Sequence, residues 1–424
     1  ATRFLDHGDL LDRLDEQEFE RPPAIVCNAH ITGLGVARAL AAHDVPVIAV
    51  DRNGDGVAPA SEAVAFAGEV TYPLDDLEGF REDIEAIAGA VEGEPVAFGC
   101  MDEWVHAFAD ADPEGVRLPF AEKRVVDRVL DKESLYGIAE FLGVPYPETY
   151  RLAGIGDDSP DAAENLGQAL EPEDALEELD FPFVIKPARK REFEEAVGTN
   201  VIEVESEAEY ADVIETAREA DIRVMAQEKV PIAQGEDCSL ASYVPPSGDP
   251  LTFVGNPLVR YPLAFGTSCV VERVDRPAIE ERALSVLSET GYYGISESEF
   301  VYDRERKEYV LLDINTRPWK WIGLPVFAGA NLPMAAYADA TGAAYEPTEP
   351  SDARWVYLPD YLELLATDTS FGDVLTEAQW TALVSGEFEA DDELTTGVYS
   401  PSDPGPTYDA IRTKFGSVEY YCSC

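Results

Sequence analysis

The stretch GISESEFVYDRERKEYVLLDINTRPW, residues 294–319, contains the two segments that decide the fold. Its pattern of apolar and polar residues predicts two strands, at 295–302 and 309–315, separated by the charged turn 303–307. Strands also dominate the preceding segment 238–274. The order of these elements predicts an antiparallel sheet that carries functional groups.

The alternation along these two strands places oxygen-bearing side chains on the same face of each strand. Glu297 and Glu299 share one face of the first strand, and Asp313 and Asn315 share one face of the second. Carboxylates can hold a metal, and a guanidinium such as Arg317 can bind phosphate, so this set suits a magnesium–nucleotide site. The alternative is that these residues form a solvated acidic face of the sheet. This alternative carries more weight for Glu297 than for Asp313, because Asp313 follows the apolar residues VLL.

Lysine is scarce, with only 8 among the 31 basic residues, and Lys186 lies within the apolar run FPFVIKP at 181–187. Burying an unpaired ammonium costs several kcal/mol, so Lys186 should meet an anion, and a nucleotide phosphate is the natural candidate. The alternative is a lysine that extends to solvent or pairs with a nearby acid.

The N-terminal part alternates short apolar strands with amphipathic helices. The pattern predicts a strand at 24–27, a helix from Gly35, a strand at 46–50, a helix at 77–91 and a strand at 95–100. This rhythm indicates a parallel, Rossmann-like sheet.

In the middle of the chain, the sequence pattern predicts a helix-rich stretch at 122–142, an acidic connector at 152–180 and a small α/β unit of about lid size. The unit consists of strands at 183–186, 199–204 and 222–228 and a helix from Ser206 to Glu219. A helix at 277–290 precedes the two late strands, and the signals weaken beyond Thr341.

The composition restricts the partners. The formal charge is -53, from 84 acidic and 31 basic residues, and the acidity is spread along the chain, which argues against nucleic acid. An acidic, arginine-preferring surface resembles proteins of halophilic cells, where molar salt shortens screening to about 3 Å.

The sequence predicts a cytoplasmic protein without a membrane partner. No apolar run approaches the roughly 20 residues needed to span a bilayer, and the first residues are acidic, unlike a signal peptide. The six cysteines form no CxxC pair, so free thiols are expected. Cys422 and Cys424 leave metal binding or oxidation open as an alternative.

Four pieces, in this order, carry a family resemblance: FPFVIKP at 181–187, VMAQEKVPIAQGED at 224–237, SESEF at 296–300 and DINTRP at 313–318. Together they resemble an ATP-grasp ligase. The segment 28–51, NAHITGLGVARALAAHDVPVIAVD, is similar to the pre-ATP-grasp domain of carboxylate–amine ligases.

The stretch RYPLAFGTSCVVE at 260–272 also resembles this group, which includes D-aspartate ligase-like and carbamoyl-phosphate synthetase large-chain-like enzymes. The resemblance covers about residues 22–340. It implies an α/β (α+β) ATP-grasp fold with an N-terminal Rossmann-like domain, and it implies the use of ATP and Mg²⁺, with Mn²⁺ as a possible replacement.

The resemblance divides the chain into four parts. They are a pre-ATP-grasp domain at 1–120, the first ATP-grasp part with its lid at 121–228, the catalytic ATP-grasp part at 229–345 and a C-terminal extension at 346–424.

The resemblance also assigns roles at the phosphates and the metal. Lys186 and, in DKESLYGIAEFLGVPYPETY, Lys132 match lysines that bind the ATP phosphates. Glu299, Asp313 and Asn315 match magnesium ligands. Arg317 matches the arginine that stabilises charge on the transferred phosphoryl group and, with Lys186, forms the expected catalytic set.

For the nucleoside, the backbone of Lys229 and Val230 is expected to hydrogen-bond the adenine edge, with Glu228 beside it. Glu236 matches the acid that accepts hydrogen bonds from the ribose hydroxyls, and Asp237 is its close competitor.

The chain departs from the family at two points. The usual glycine- and serine-rich lid is replaced by PARKREFEEAVGTN at 187–200, where Arg189, Lys190 and Arg191 form a basic cluster that could bind phosphate or substrate, or could be a solvated edge. Asp313 stands where glutamate is common, which shortens the reach to the metal by one methylene.

The reaction implied is the activation of a carboxylate as an acyl phosphate and its coupling to an amine. The substrates are small molecules, and a homodimer is possible. Candidates for binding the substrate carboxylate are Arg260, Gly266, Thr267 and Ser268.

Other readings remain open. The same fold supports carboxylation or phosphorylation, and a non-catalytic nucleotide-binding protein is a further alternative. Gly33 and Gly35, with Asp51 at a strand end, resemble part of an NAD-binding fingerprint, but the third glycine is missing. In the family interpretation this loop frames the substrate pocket, and Asp51 caps the end of the strand.

Overall fold

The computed structural model describes residues 4–155, 169–188, 201–263, 266–388 and 393–415. They form three β-sheets with helices packed around them. The predicted α/β architecture with an N-terminal parallel sheet is confirmed. No helix in the described ranges is long and apolar enough to cross a membrane.

The N-terminal sheet is parallel and has the strand order β1-β4-β3-β2-β5. Its strands are β1 (Phe4–Leu5), β2 (Ala24–Cys27), β3 (Val47–Asp51), β4 (Phe66–Glu69) and β5 (Val96–Gly99), and its helices are α1 (His7–Asp15), α2 (Ile31–Ala41), α3 (Leu77–Gly89) and α4 (Asp102–Ala111). β2, β3 and β5 are buried along their whole length, as expected for central strands of a parallel sheet. The helix predicted from Gly35 begins four residues earlier, at Ile31.

Two helices, α5 (Lys123–Leu130) and α6 (Lys132–Leu142), form the predicted helix-rich stretch. Asp131 lies between them and caps α6, because its side chain accepts hydrogen bonds from the backbone N–H groups of Glu133 and Ser134. Arg223 donates to the carboxylates of Asp131 (2.7 Å) and Glu133 (2.9 Å). The first turn of α6, which begins with Lys132, is therefore held from two sides.

A smaller antiparallel sheet with the order β6-β9-β7-β8 forms the unit that the sequence predicts as a lid. Its elements are β6 (Thr149–Arg151), α7 (Ala175–Glu178), β7 (Phe183–Pro187), β8 (Ile202–Val204), α8 (Glu207–Glu219) and β9 (Val224–Glu228). Ser206 caps α8 through Glu209 N–H, as the sequence pattern predicts. This lid unit has its own apolar core, which includes Phe183, Tyr210 and Ile214.

The central sheet has the order β14-β13-β10-β11-β12-β15-β16. Its elements are β10 (Cys238–Val244), β11 (Leu251–Tyr261), β12 (Thr267–Arg273), α9 (Pro277–Thr290), β13 (Gly294–Asp303), β14 (Glu308–Asn315), β15 (Arg354–Val356) and β16 (Leu394–Thr396). The strands from β14 to β15 pair antiparallel, which confirms the sheet predicted from 294–319.

The C-terminal segment adds to existing parts of the molecule. β15 and β16 extend the central sheet. The remaining helices are α10 (Gly323–Ala328), α11 (Leu332–Thr341), α12 (Leu358–Thr367), α13 (Glu377–Ser385) and α14 (Gly405–Phe415). Asp403, just before α14, accepts hydrogen bonds from Arg38 of α2 (2.8 Å) and from Ser61 (2.6 Å). The segment therefore also contacts the N-terminal sheet unit.

Candidate active site

The oxygen-bearing side chains of β13 and β14 meet at one end of the strand pair. Glu297 lies opposite Asn315, and Glu299 lies opposite Asp313. The Asn315 amide nitrogen donates to Glu299 Oε1 (3.0 Å) and to Glu297 Oε2 (3.3 Å). The alternation read from the sequence thus brings the four residues into one cluster.

Lys132 reaches this cluster from α6. Its Nζ lies 2.6 Å from Asp313 Oδ1, and the two residues are only 4% and 7% exposed. The Lys132 backbone N–H donates to the carbonyl of Ala188, two residues after Lys186. Lys186 is half-buried near the end of β7. The two lysines predicted to bind phosphate therefore lie on segments that contact each other.

Arg317 follows β14 and points away from solvent. Its Nε donates to Asp102 Oδ1 at 2.5 Å, and its Nη1 donates to the Pro318 carbonyl at 3.1 Å. Burial acts against the charged guanidinium, but the carboxylate of Asp102 outweighs burial, so the pKa of Arg317 is raised. Arg317 therefore remains a permanent cation beside the cluster.

Glu297 is the most deeply buried carboxylate of the cluster. Trp321 Nε1 donates to its Oε1 at 3.0 Å. Burial and, after it, the neighbouring Glu299 raise the pKa of Glu297 to about 8, although Arg260, Arg317 and Asn315 act in the opposite direction. A solvated acidic face, the alternative considered for Glu297, does not describe this residue, which is 5% exposed.

Gly255 of β11 allows the Trp321 ring to approach the sheet. A Cβ on Gly255 would lie 2.8 Å from Trp321 Cη2, which is closer than side chains pack. Trp321 also contacts the ring of Trp319, at a centroid distance of 5.1 Å. The segment after β14 thus runs back across the sheet from Arg317 to Trp321, and we call residues 316–322 the crossing segment.

Arg260, predicted to bind the substrate carboxylate, is held by two acids. Its Nε donates to Asp237 Oδ2 (3.1 Å), and its Nη2 lies 3.8 Å from Glu299 Oε2. Burial raises the pKa of Asp237 even though Arg260 opposes this shift.

The two candidates for the ribose contact differ in position. Glu236 is exposed to solvent, whereas Asp237 is 6% exposed and bound to Arg260. Glu236 is therefore the one with a carboxylate open to a ligand.

At the predicted adenine hinge, the charged side chains have protein partners. Glu228 accepts hydrogen bonds from Glu148 N–H (2.7 Å) and from Arg306 (2.8 Å), and Lys229 Nζ lies 2.6 Å from Glu203 Oε1. Val230 packs in a small apolar cluster. The predicted recognition of adenine by the backbone is compatible with these contacts.

The remaining predicted substrate residues lie at the start of β12. Ser268 pairs with Arg260 in the strand register, and Gly266 leaves no room for a Cβ beside the backbone of Pro262. Thr267 Oγ1 accepts a hydrogen bond from Lys320 of the crossing segment at 3.1 Å.

Lys320 links the crossing segment to the C-terminal segment. Its Nζ lies 2.6 Å from Asp360 Oδ2 on α12 and 4.2 Å from the centre of the Tyr357 ring. The predicted basic cluster Arg189, Lys190 and Arg191 lies outside the described residues, as do Cys422 and Cys424.

The donor set fits a hard cation. Glu299 and Asp313 offer carboxylate oxygens, and Asn315 offers an amide oxygen while its nitrogen binds the two glutamates. Among the described residues, no three His, Cys, Asp or Glu side chains are arranged as a metal site on their own. Mg²⁺ usually takes one or two protein carboxylates and completes its coordination with waters and substrate phosphates.

The N-terminal loop shows a local structural role for the residues that resemble an NAD fingerprint. Asp51 accepts hydrogen bonds from the backbone N–H of Ala29 and of Arg52, both at 2.8 Å. A Cβ on Gly33 would clash with the Asn28 carbonyl. Both residues serve the turn between β2 and α2, which supports the interpretation of Asp51 as a strand-end cap.

Several residues that contact the side chains of the site are not predicted from the sequence. Asp102, Trp321 and Asp360 contact Arg317, Glu297 and Lys320 across long stretches of chain. The one available signal is the position of Asp102, which lies two residues beyond the predicted strand 95–100, at the carboxyl edge of a parallel sheet, where ligands bind.

No family model and no curated protein matches the chain. Solved structures do. The N5-carboxyaminoimidazole synthetase of Staphylococcus aureus matches with a TM-score of 0.60 and 14% identity, over 83% of this chain and 86% of that one. The biotin carboxylase–β,γ-ATP complex of Campylobacter jejuni matches with a TM-score of 0.59 and 15% identity, over 79% and 75%.

The carboxyaminoimidazole ribonucleotide synthase of Aspergillus clavatus, complexed with ATP, matches with a TM-score of 0.56 and 14% identity, over 77% of this chain and 78% of that one. Identities this low show the fold alone. The chain has the ATP-grasp fold with an N-terminal parallel-sheet domain.

Proposed function

We propose that this chain is an ATP- and Mg²⁺-dependent ligase that activates a carboxylate as an acyl phosphate and couples it to an amine. The observation that carries the proposal is the meeting of Lys132, Arg260 and Arg317 with the oxygen ligands at the ends of β13 and β14. Phosphoryl transfer requires this combination of fixed cations and hard oxygen ligands.

The proposed reaction has two steps. The substrate carboxylate attacks the γ-phosphorus of ATP, which releases ADP and gives an acyl phosphate. The amine then attacks the acyl carbon, phosphate leaves with the electron pair of the broken C–O bond, and the amine loses a proton. Bound Mg²⁺, held by Glu299, Asp313 and Asn315, would neutralise phosphate charge.

The protein side chains have separate roles in this scheme. Lys132 and Lys186 bind phosphate oxygens, and Arg317 stabilises the negative charge that both steps build up. Arg260 binds the substrate carboxylate, supported by its position beside Ser268. No side-chain nucleophile is needed, because positioning and charge stabilisation supply the rate enhancement.

The nucleoside part of ATP is bound by the hinge and by the residues that follow it. The backbone of Lys229 and Val230 binds adenine, and the exposed Glu236 accepts hydrogen bonds from the ribose. We also propose that the enzyme acts on small molecules in the cytoplasm of a cell with high internal salt, where its charge of -53 is screened.

Carboxylation is the second candidate, since two of the reported structural neighbours have names that contain carboxyaminoimidazole and one is a biotin carboxylase. In that reaction bicarbonate would take the place of the carboxylate substrate. The two candidates share the phosphoryl-transfer site and differ in the acid.

The test is ADP release in concentrated KCl with panels of carboxylates and amines, and with bicarbonate as a separate arm. Hydroxylamine in place of the amine should trap an acyl hydroxamate if the ligase proposal holds. ADP release that depends on bicarbonate alone would favour carboxylation.

The matched variants are Lys186→Ala and Lys123→Ala. Lys123 pairs with Asp110, and its side chain is exposed to solvent. Thermal stabilisation by ATP with Mg²⁺ should be lost in Lys186→Ala and kept in Lys123→Ala. Equal stabilisation by NAD, or none by ATP, would contradict the proposal.

A further inference from the structure

The N-terminal parallel-sheet domain contributes one acid to the candidate active site. Asp102 is the first residue of α4, just beyond β5, and its Oδ1 lies 2.5 Å from Arg317 Nε. The side chains of Asp102 and Arg317 are only 17% and 13% exposed. The contact joins residues 215 positions apart, from two different sheets.

The position of Asp102 follows from the topology of the parallel sheet. The order β1-β4-β3-β2-β5 places β3 and β5 on opposite sides of β2. The chain direction across the sheet therefore reverses between β2 and β5, and the carboxyl ends of these two strands form a crevice. Asp102 lies at this crevice, and Arg317 reaches it from the central sheet.

The contact restricts how the guanidinium can turn. A guanidinium has five N–H donors in one plane. Asp102 binds Nε, and the Pro318 carbonyl binds one hydrogen of Nη1. Two contacts in the plane fix its orientation, and neither of them uses Nη2.

We propose that Asp102 is a positioning residue, which fixes the plane of Arg317 so that the Nη2 edge of the guanidinium faces the transferred phosphoryl group. This inference rests on the proposed ligase function. Asp102 itself contacts no substrate in this scheme and acts only through Arg317. The N-terminal domain then takes part in catalysis by aligning a residue of the central sheet.

The first arm of the test measures turnover of Asp102→Asn, which keeps the shape of the side chain and removes its charge. We expect kcat to fall at least about tenfold, as is typical for partners that orient a functional group, while KM for ATP changes less than about twofold. Asp102→Glu, which keeps the carboxylate, should recover part of the loss. Asp110→Asn on the same helix, which loses only the ion pair with Lys123, should behave as wild type.

The second arm is a double-mutant cycle with Arg317→Lys, which keeps the positive charge but lacks the planar fork. In that background, Asp102→Asn should change kcat less than about twofold. If Asp102→Asn lowers kcat in the Arg317→Lys background as much as in wild type, Asp102 acts independently of Arg317. That outcome would overturn the inference.

The two proposals fail differently. If wild type turns over and Asp102→Asn has a wild-type kcat, the positioning role is wrong and the ligase proposal stands. If wild type releases no ADP with any acid and amine, the ligase proposal is wrong and the positioning role falls with it. Thermal unfolding of each variant separates a loss of kcat from a loss of folded protein.

Discussion

Lys132 Nζ and Asp313 Oδ1 lie 2.6 Å apart and form an ion pair between the first turn of α6 and the C-terminal end of β14. The two residues are 181 positions apart in the sequence. Both partners have a predicted functional role, one at phosphate and one at the metal. The pair is almost completely buried, so its two charges depend on each other.

Replacing Lys132 with Met should leave the Asp313 carboxylate buried without its ammonium partner. We expect the free energy of unfolding to fall by about 3–5 kcal/mol, the usual cost of breaking a buried pair. The double variant Lys132→Met/Asp313→Leu should recover a large part of this loss, because it removes the buried carboxylate together with the ammonium. Denaturant unfolding in concentrated KCl measures both, and a double variant as unstable as the single one would contradict the explanation.

Gly255→Ala should push Trp321 away from the sheet, because the new Cβ would lie 2.8 Å from its ring. We expect a destabilisation of about 1–3 kcal/mol from overpacking, together with reduced ADP release because Trp321 holds Glu297. Gly89→Ala is the control. Gly89 ends α3 with open space around it, so alanine there should stabilise by about 0.5–1 kcal/mol. Unchanged stability in Gly255→Ala would show that the indole is free to move.

Glu236→Ala should weaken ATP binding about tenfold without changing the unfolding temperature, because the exposed carboxylate is expected to bind the ribose. Asp237→Asn should instead lower stability, because Asp237 is buried against Arg260. Calorimetric titration with ATP and thermal unfolding separate the two effects. Wild-type affinity in Glu236→Ala would remove Glu236 from the nucleotide site.

Asp403 should make stability depend on pH. Burial acts to raise its pKa, but hydrogen bonds from Ser61, from the backbone N–H of Glu62 and from Arg38 prevail, so the pKa is lowered. A carboxyl group with a lowered pKa in the folded state stabilises the fold above its unfolded pKa of about 3.9. That contribution is lost as the pH falls through the folded value.

The stability difference between wild type and Asp403→Asn should therefore be complete at pH 7, at about 1–3 kcal/mol, and should shrink below about pH 4. Glu94→Gln, which loses an exposed pair with Arg117, should stay within about 0.5 kcal/mol of wild type. A difference between wild type and Asp403→Asn that does not vary with pH would mean that the charge is irrelevant.

The sequence predicts well those elements whose ends carry local signals. The sequence predicts the helix Pro277–Thr290 at its observed bounds, because proline occupies its first turn and Gly291, which has a left-handed conformation in the structure, follows it. The strand Ala24–Cys27 was located correctly because it is a short apolar run. Both signals lie within a few residues of the element.

Some of the short strands carry no such signal. β4, with the sequence FAGE, and the three-residue strands β15 and β16 are defined by their neighbours in the sheet and not by alternation of their own. The sequence beyond Thr341 therefore predicts no specific elements. Its pairing with β12 depends on tertiary contacts.

The candidate site shows the same division. Glu299 and Asp313 could be predicted because each lies in a strand with clear alternation. Asp102 and Asp360 could not be predicted as partners, because their contacts with Arg317 and Lys320 join distant segments. The oxygen-bearing side chains of the cluster can thus be predicted from local sequence, whereas the partners of Arg317 and Lys320 require the fold.

The pairing of β16 with β15 has a consequence for the order in which the protein can mature on the ribosome. The crossing segment with Arg317 and Trp321 is anchored through Lys320 to Asp360 of α12, and β16 ends only at Thr396. A nascent chain that has exposed all the residues of the oxygen cluster still lacks these anchors. The oxygen cluster and its anchors can therefore be assembled only after the residues up to Thr396 have emerged.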